Sequence, residues 1–148
     1  MYPTNLWRRT LADPAIRAFL VEGTRTGHLG YTAADGRPLV APIWFVVDGD
    51  RLAFNTGADT AKGKAVVRDG RLVLCVDLQE PPYAFVQVQG VARVSDDLTE
   101  VRRIASACGA RYMGADRAQE FGDRNGVPGE LVIWIEPTKI IASLDMTG

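Results

Sequence analysis

Pro38-Leu39-Val40-Ala41-Pro42-Ile43-Trp44-Phe45-Val46-Val47 is the stretch whose reading decides the fold. Its alternate residues make two sets. Leu39, Ala41, Ile43, Phe45 and Val47 point one way; Val40, Pro42, Trp44 and Val46 point the other. Both sets are apolar. A strand on a half-solvated sheet would alternate with polar residues, so this one is expected to be covered on both sides. Pro42 has no N–H to give to a ladder, which predicts a bulge or an unpaired stretch around it.

Working outward, Asp35-Gly36 is a hairpin signal that joins this strand to an earlier one over Thr26 to Thr32. Downstream, Asp48-Gly49-Asp50 turns into a third strand, Arg51 to Asn55, and Asp69-Gly70 into a fourth, Arg71 to Asp77. A stiff loop, Leu78 to Tyr83, leads to a fifth, Ala84 to Val94. Val86, Val88, Gly90, Ala92 and Val94 make its core face. Asp13-Pro14 starts a helix with Ile16, Phe19 and Leu20 on one face, and Gly23 ends it. Residues before it are irregular, with Leu6 and Trp7 anchoring to the body. Ser95-Asp96-Asp97 caps a longer helix. Its residues Val101, Ile104, Ala105, Cys108 and Tyr112 form an amphipathic stripe. A short helix over Ala115 to Phe121, a loop over Gly122 to Gly129 and a strand over Glu130 to Glu136 follow. Pro137 is expected to break that strand and Lys139 to Leu144 to make a seventh. Strands joined by tight turns pair antiparallel, and short strands with apolar inner faces predict a closed barrel rather than an open sheet. The class is therefore mainly β with helices (α+β), as a single domain over residues 1–148.

Lys+Arg 17 against Asp+Glu 18 leaves a net charge of −1. No global basic field exists to hold nucleic acid, so an anion site has to be local. No apolar run approaches the roughly 20 residues of a membrane span. Arg8-Arg9 resembles a twin-arginine signal, but Asp13, Pro14, Arg17 and Glu22 interrupt the apolar segment it would need. Cytoplasm is the expected compartment. Cys75 and Cys108 form no CxxC motif and read as buried, reduced thiols.

The chemistry-bearing stretch is Phe54-Asn55-Thr56-Gly57-Ala58-Asp59-Thr60-Ala61-Lys62-Gly63-Lys64, a strand end, a polar loop and a helix start. Asp59 or Thr60 caps the helix. Lys62 and Lys64 then stand in its first turn, where the helix dipole opposes cations. One reading is two solvated surface lysines. The other is an anion site, because a helix N-terminus with lysines beside it suits a phosphate. Protein-borne catalysis is poorly supplied: His28, the only histidine, reads as a hydrogen-bonded strand residue. It can build neither a zinc site with two scattered cysteines nor a nucleophilic triad, so no metal is expected. There is no GxGxxG or Walker motif. A reaction here would be carried by a bound cofactor.

Several pieces in order resemble one family. They are Gly27-His28-Leu29-Gly30-Tyr31, Asp35-Gly36-Arg37-Pro38, Ala41-Pro42-Ile43-Trp44-Phe45, Asp50 to Thr56, Ala61 to Gly70, and Val88-Gln89-Gly90-Val91-Ala92-Arg93-Val94. Together they are similar to the pyridoxamine-phosphate-oxidase-like split-barrel family of flavin and deazaflavin proteins. The resemblance implies a six- or seven-stranded antiparallel split barrel, forming a homodimer with cofactors at the subunit interface. It places Pro42, Ile43 and Trp44 against the cofactor ring, with Asn55 in the same site. Thr56, Lys62 and Lys64 would hold its phosphate. Pro-Ile-Trp-Phe followed by a spaced lysine resembles the branch that uses coenzyme F420, with FMN as the alternative. The function implied is hydride transfer from reduced deazaflavin to a small unsaturated organic substrate. The alternatives are an FMN oxidoreductase and a non-catalytic carrier of a flavin, deazaflavin or haem-like molecule. Arg37, Arg51 and Arg68 are candidates to meet the F420 tail, and Tyr83 is a candidate proton donor. No extra C-terminal segment of the kind carried by pyridoxamine phosphate oxidases is recognisable, which argues against vitamin B6 as substrate.

Overall fold

The structure, a computed structural model, describes residues 10–148; the expectations for Leu6, Trp7 and Arg8-Arg9 lie outside them. Helix α1 spans Pro14–Val21, with Asp13 accepting from the Ala15 N–H as its cap and Ile16, Phe19 and Leu20 buried. Strands β1 (Gly27–Thr32), β2 (Pro38–Ile43), β3 (Val46–Asp48) and β4 (Arg51–Gly57) follow, then α2 (Ala61–Arg68), β5 (Arg71–Leu78) and β6 (Ala84–Ser95). Helices α3 (Leu98–Met113) and α4 (Ala118–Asn125) precede the last strand, β7 (Glu130–Ser143). All pairings are antiparallel, in the order β2-β1-β5-β6-β7-β4-β3.

The two edges of this sheet, β2 and β3, are consecutive in the chain and separated only by Trp44 and Phe45. One short segment therefore carries the chain from one edge of the sheet to the other. The sheet curls into a split barrel whose seam is crossed at Trp44–Phe45. Leu29, Ile43, Phe45, Leu52, Phe54, Leu74, Val86, Ile133 and Ile140 fill its interior. A second cluster lies outside, where Val101, Ile104 and Cys108 of α3 pack on Ala53, Val132 and Trp134.

Three expectations need correction. The stretch Pro38 to Val47 is two strands, not one, and β2 is an edge strand whose outward face is uncovered: Val40 is 72% exposed, and Trp44, just beyond the strand, 40%. Pro42 pairs in regular register with His28. An edge strand has a ladder on one side only, so a missing N–H facing outward costs no bond; the break falls at the seam instead. Pro137 does not end a strand. β7 runs through it, with a register shift opposite Gln89/Gly90. Gly90 permits this bulge, because a Cβ there would meet the Glu136 carbonyl oxygen at 2.3 Å. Finally, the stretch from Ala115 is a 3-10 turn over Ala115–Arg117 and then α4, which continues into the expected loop as far as Asn125. Close packing of Gly122 against Ser106 of α3 overrides its weak helix propensity.

Helix α3 is tied to the barrel by Asp48, which accepts two 2.9 Å hydrogen bonds from Arg103 and a third from Trp134 Nε1 at 2.9 Å. The Arg103 guanidinium holds the Asp48 carboxyl down at about 2, against the opposing effect of partial burial. A depressed carboxyl stabilises the fold above its unfolded value and loses that contribution as pH falls through its folded value. Arg103 is half exposed, and solvent screening reduces the contribution to about 1 kcal/mol. Asp48→Asn should therefore lower urea stability by about 1 kcal/mol at neutral pH, and the gap should close as pH falls from about 4 to about 2. An equal gap at both ends of that range would show that the charge is not what matters.

Candidate functional site

A cavity of about 310 Å³ opens beside the seam, lined by Pro42, Ile43, Trp44, Asn55, Lys62, Ala105, Cys108 and Asn125. Five of the seven residues that the sequence assigned to a cofactor thus share one wall system. Alternation along β4 explains the split between Asn55 and Thr56. Phe54 and Thr56 are buried in the barrel, whereas Asn55 turns outward toward α3 and α4. Its amide donates to the carbonyls of Val101 at 3.2 Å and Leu131 at 3.3 Å, leaving its own oxygen for a ligand. Thr56 does not line the cavity; its hydroxyl meets Thr60 Oγ at 3.3 Å.

Thr60, not Asp59, caps α2. Its oxygen accepts from the Gly63 N–H at 2.9 Å, and its hydroxyl donates to the Gly57 carbonyl at 2.8 Å. Lys62 follows, half-buried at the cavity wall. Among the described residues its ammonium has neither a hydrogen bond nor an ion pair. Burial alone pushes its pKa down, because removing a charge from water disfavours it. The next-but-one residue, Lys64, is exposed and lines no part of the cavity.

The seam itself is pinned from α3. Arg111 donates to the carbonyls of Phe45 at 2.8 Å, Leu20 at 2.7 Å and Gly23 at 3.0 Å. Tyr112 Oη accepts from the Phe45 N–H at 3.3 Å and donates to the Arg25 carbonyl at 2.8 Å. The Tyr112 ring stacks on Trp44 with centroids 5.0 Å apart and planes 3° from parallel, and Phe121 meets Trp44 edge-on at 5.7 Å. The indole is thus held in place by two aromatic neighbours while 40% of the residue remains exposed. Of the lining groups, the Cys108 thiol is pushed up to about 12 by burial and stays neutral.

Tyr83 does not line this cavity. It sits in the β5–β6 connection, with its N–H bonded to the Glu80 carbonyl. The three arginines proposed for a cofactor tail are committed elsewhere. Arg37 pairs with Asp35, Arg51 lies over the Trp134 ring, and Arg68 donates to the Thr32 carbonyl. Sequence reasoning missed Asn125 and Arg111 and the wall roles of Ala105 and Cys108. Ala105, Cys108 and Tyr112 were visible only as members of a helical stripe, and Asn125 was placed in a loop. No local signal shows which strand a helix face will meet.

The family model of pyridoxamine 5'-phosphate oxidase matches residues 12–143. The chain belongs to the pyridoxamine 5'-phosphate oxidase family. Within that fold it is similar to a conserved hypothetical protein from Mycobacterium tuberculosis, at 21% identity over 93% of this chain and 87% of that one, with a TM-score of 0.78. An F420 reductase aligns at 24% identity over 83% and 94% of the two chains, with a TM-score of 0.65. The haem storage protein of Vibrio cholerae aligns at 14% identity over 92% and 98%, with a TM-score of 0.70. No curated protein sequence matches the chain. Among the described residues no helix is long and apolar enough to cross a membrane, and no cluster of side chains could hold a metal ion.

Proposed function

We propose that this chain binds coenzyme F420 in the seam cavity and acts as an oxidoreductase that reduces a small unsaturated organic molecule. The observation that carries the reading is Lys62. A half-buried cation with no partner among the described residues opens into the same cavity as Pro42, Ile43 and Trp44. Its desolvation is uncompensated in the protein alone, and a phosphate ester would compensate it. The first-turn N–H groups of α2 add to that attraction. Pro42, Ile43 and Trp44 offer an apolar wall to a planar ring, and the oxygen of Asn55 would be available to accept a ring N–H. The residues present therefore fit a phosphorylated tricyclic cofactor. When bound, a reduced deazaflavin supplies hydride at ring carbon 5. Lys62 anchors, Trp44 orients, and the walls keep water away.

FMN shares the ring shape and the phosphate, and the same contacts would serve it; resemblance to the F420-using branch is what favours deazaflavin. A carrier role is the second reading. It is favoured by one observation, that the polar lining groups Asn55, Lys62, Cys108 and Asn125 include no carboxyl or imidazole. The uncovered strip of Val40, Pro42 and Trp44 supports a homodimer that closes the cavity from outside.

Fluorescence titration separates these readings. F420 should bind more tightly than FMN, the protein should purify nearly colourless from a host that makes only flavins, and the sample should scatter as a dimer. Bright yellow protein with stoichiometric FMN would replace F420 by FMN. Tight binding of reduced F420 without its oxidation by added acceptors would favour the carrier.

A further inference from the structure

Tyr112 does not line the seam cavity, yet it governs how one wall of that cavity is presented. It stands one helical turn after Cys108 on the same side of α3. Its ring lies flat against the Trp44 indole, with centroids 5.0 Å apart and planes 3° from parallel. Its hydroxyl accepts from the Phe45 N–H at 3.3 Å and donates to the Arg25 carbonyl at 2.8 Å. The phenol is therefore held twice, by the indole and by backbone at the seam and at the approach to β1. Burial pushes its pKa up, so it keeps the proton that it donates.

Trp44 is left with one face to offer. Tyr112 closes the other, and Phe121 stands at 62° to the indole with centroids 5.7 Å apart. Even so, 40% of the residue is exposed, and it lines the seam cavity beside Pro42 and Ile43. The indole is oriented before any ligand arrives, so little ordering opposes binding. Aromatic rings carry negative charge on their faces. A ring poor in electrons stacks on such a face better than one rich in them. The oxidised rings of flavin and deazaflavin are electron-poor, and two-electron reduction makes them electron-rich.

We infer that Tyr112 is a positioning residue: it fixes Trp44 as a platform on which the cofactor ring stacks, and that stack holds the bound cofactor toward its oxidised form. The inference rests on the cofactor reading above and adds to it a preference between redox states. The phosphate is the same in both states, so Lys62 anchors both equally. The indole face does not. Binding that prefers the oxidised form shifts the reduction equilibrium of the bound cofactor by the same factor. Reduced cofactor thus gives up hydride more readily in the site than in water. This holds for FMN as for F420 and does not depend on the acceptor.

The test titrates F420 and FMN, each oxidised and reduced, by calorimetry without air into the parent, Tyr112→Phe, Tyr112→Leu and Trp44→Leu. The parent should bind the oxidised form about twofold to tenfold more tightly than the reduced form, the range of a stacked aromatic pair. Tyr112→Phe keeps the ring and should keep the preference, although it loses both seam bonds. Tyr112→Leu and Trp44→Leu should bring the ratio close to one. The indole should also quench the fluorescence of bound oxidised F420 in the parent and in Tyr112→Phe, and the two leucine variants should be brighter. A ratio near one in the parent, or a parental ratio in Trp44→Leu, overturns the stack. A parental ratio in Tyr112→Leu, or a lost preference in Tyr112→Phe, overturns the role of the Tyr112 ring. Should Tyr112→Leu not fold, the other two variants still decide the matter. A parent that binds neither F420 nor FMN fails the cofactor reading, and the inference falls with it.

Discussion

Gly63→Ala should lower the melting temperature by about 4–8 °C, an effect of about 2 kcal/mol at this chain length. Gly63 is buried in the first turn of α2, and a Cβ there would stand 2.1 Å from the Gly57 carbonyl oxygen and 3.1 Å from Thr60 Oγ. The obstacle is backbone at the end of β4, held by the pairing of Gly57 with Glu130 and by the bond from the Ala58 N–H to the Gly129 carbonyl at 2.8 Å. Forcing such a contact costs about 3 kcal/mol, and the better helix propensity of alanine returns about 1 kcal/mol. The same displacement moves Lys62 away from the seam, so cofactor binding should weaken as well. Thermal melts and F420 titrations on one sample check both effects. A variant that melts and binds like the parent would show that α2 is not constrained by this contact.

Lys62→Ala should separate binding from folding. Alanine removes a charge that burial and the helix dipole both oppose, so the empty protein should keep its stability within about 0.5 kcal/mol or gain slightly. A bound phosphate would lose a charge-assisted contact worth roughly 1.5–3 kcal/mol, which is about tenfold to a hundredfold or more in affinity. The contact is remote from the transferred hydride, so the rate at saturating cofactor should change little, as expected for lost uniform binding. Lys64→Ala should do the same more weakly, because Lys64 is exposed and does not line the cavity. Normal melting together with parental affinity for both F420 and FMN would place the phosphate elsewhere.

Much of the architecture was legible because its causes are short-range. Asp13-Pro14, Asp35-Gly36 and Asp69-Gly70 punctuate the chain where the elements begin and end, through caps and turns that act over two or three residues. The α3 stripe is buried as its spacing required, at Val101, Ile104, Ala105 and Cys108. Lys62 was marked as an anomaly by charge alone, since a cation at a helix N-terminus opposes the dipole. The failures fall where proline and glycine were weighed locally. Pro137 was read as a terminator because a bulge opposite Gly90, 47 positions earlier in the chain, is invisible in its own neighbourhood.

The sequence by itself determined the antiparallel connectivity, the Asp13 cap of α1, the apolar faces and the lysine-bearing helix start, all set by chemistry between near neighbours. The tertiary structure decided the site. Closing the sheet brings its two edges to either side of Trp44–Phe45, and α3 then pins that seam through Arg111 and Tyr112, more than 60 residues away. Only then do Pro42, Asn55, Lys62, Cys108 and Asn125 face one cavity. Periodicity tells which face of an element is apolar, but which surface that face will meet depends on register and closure, and these are properties of the whole sheet.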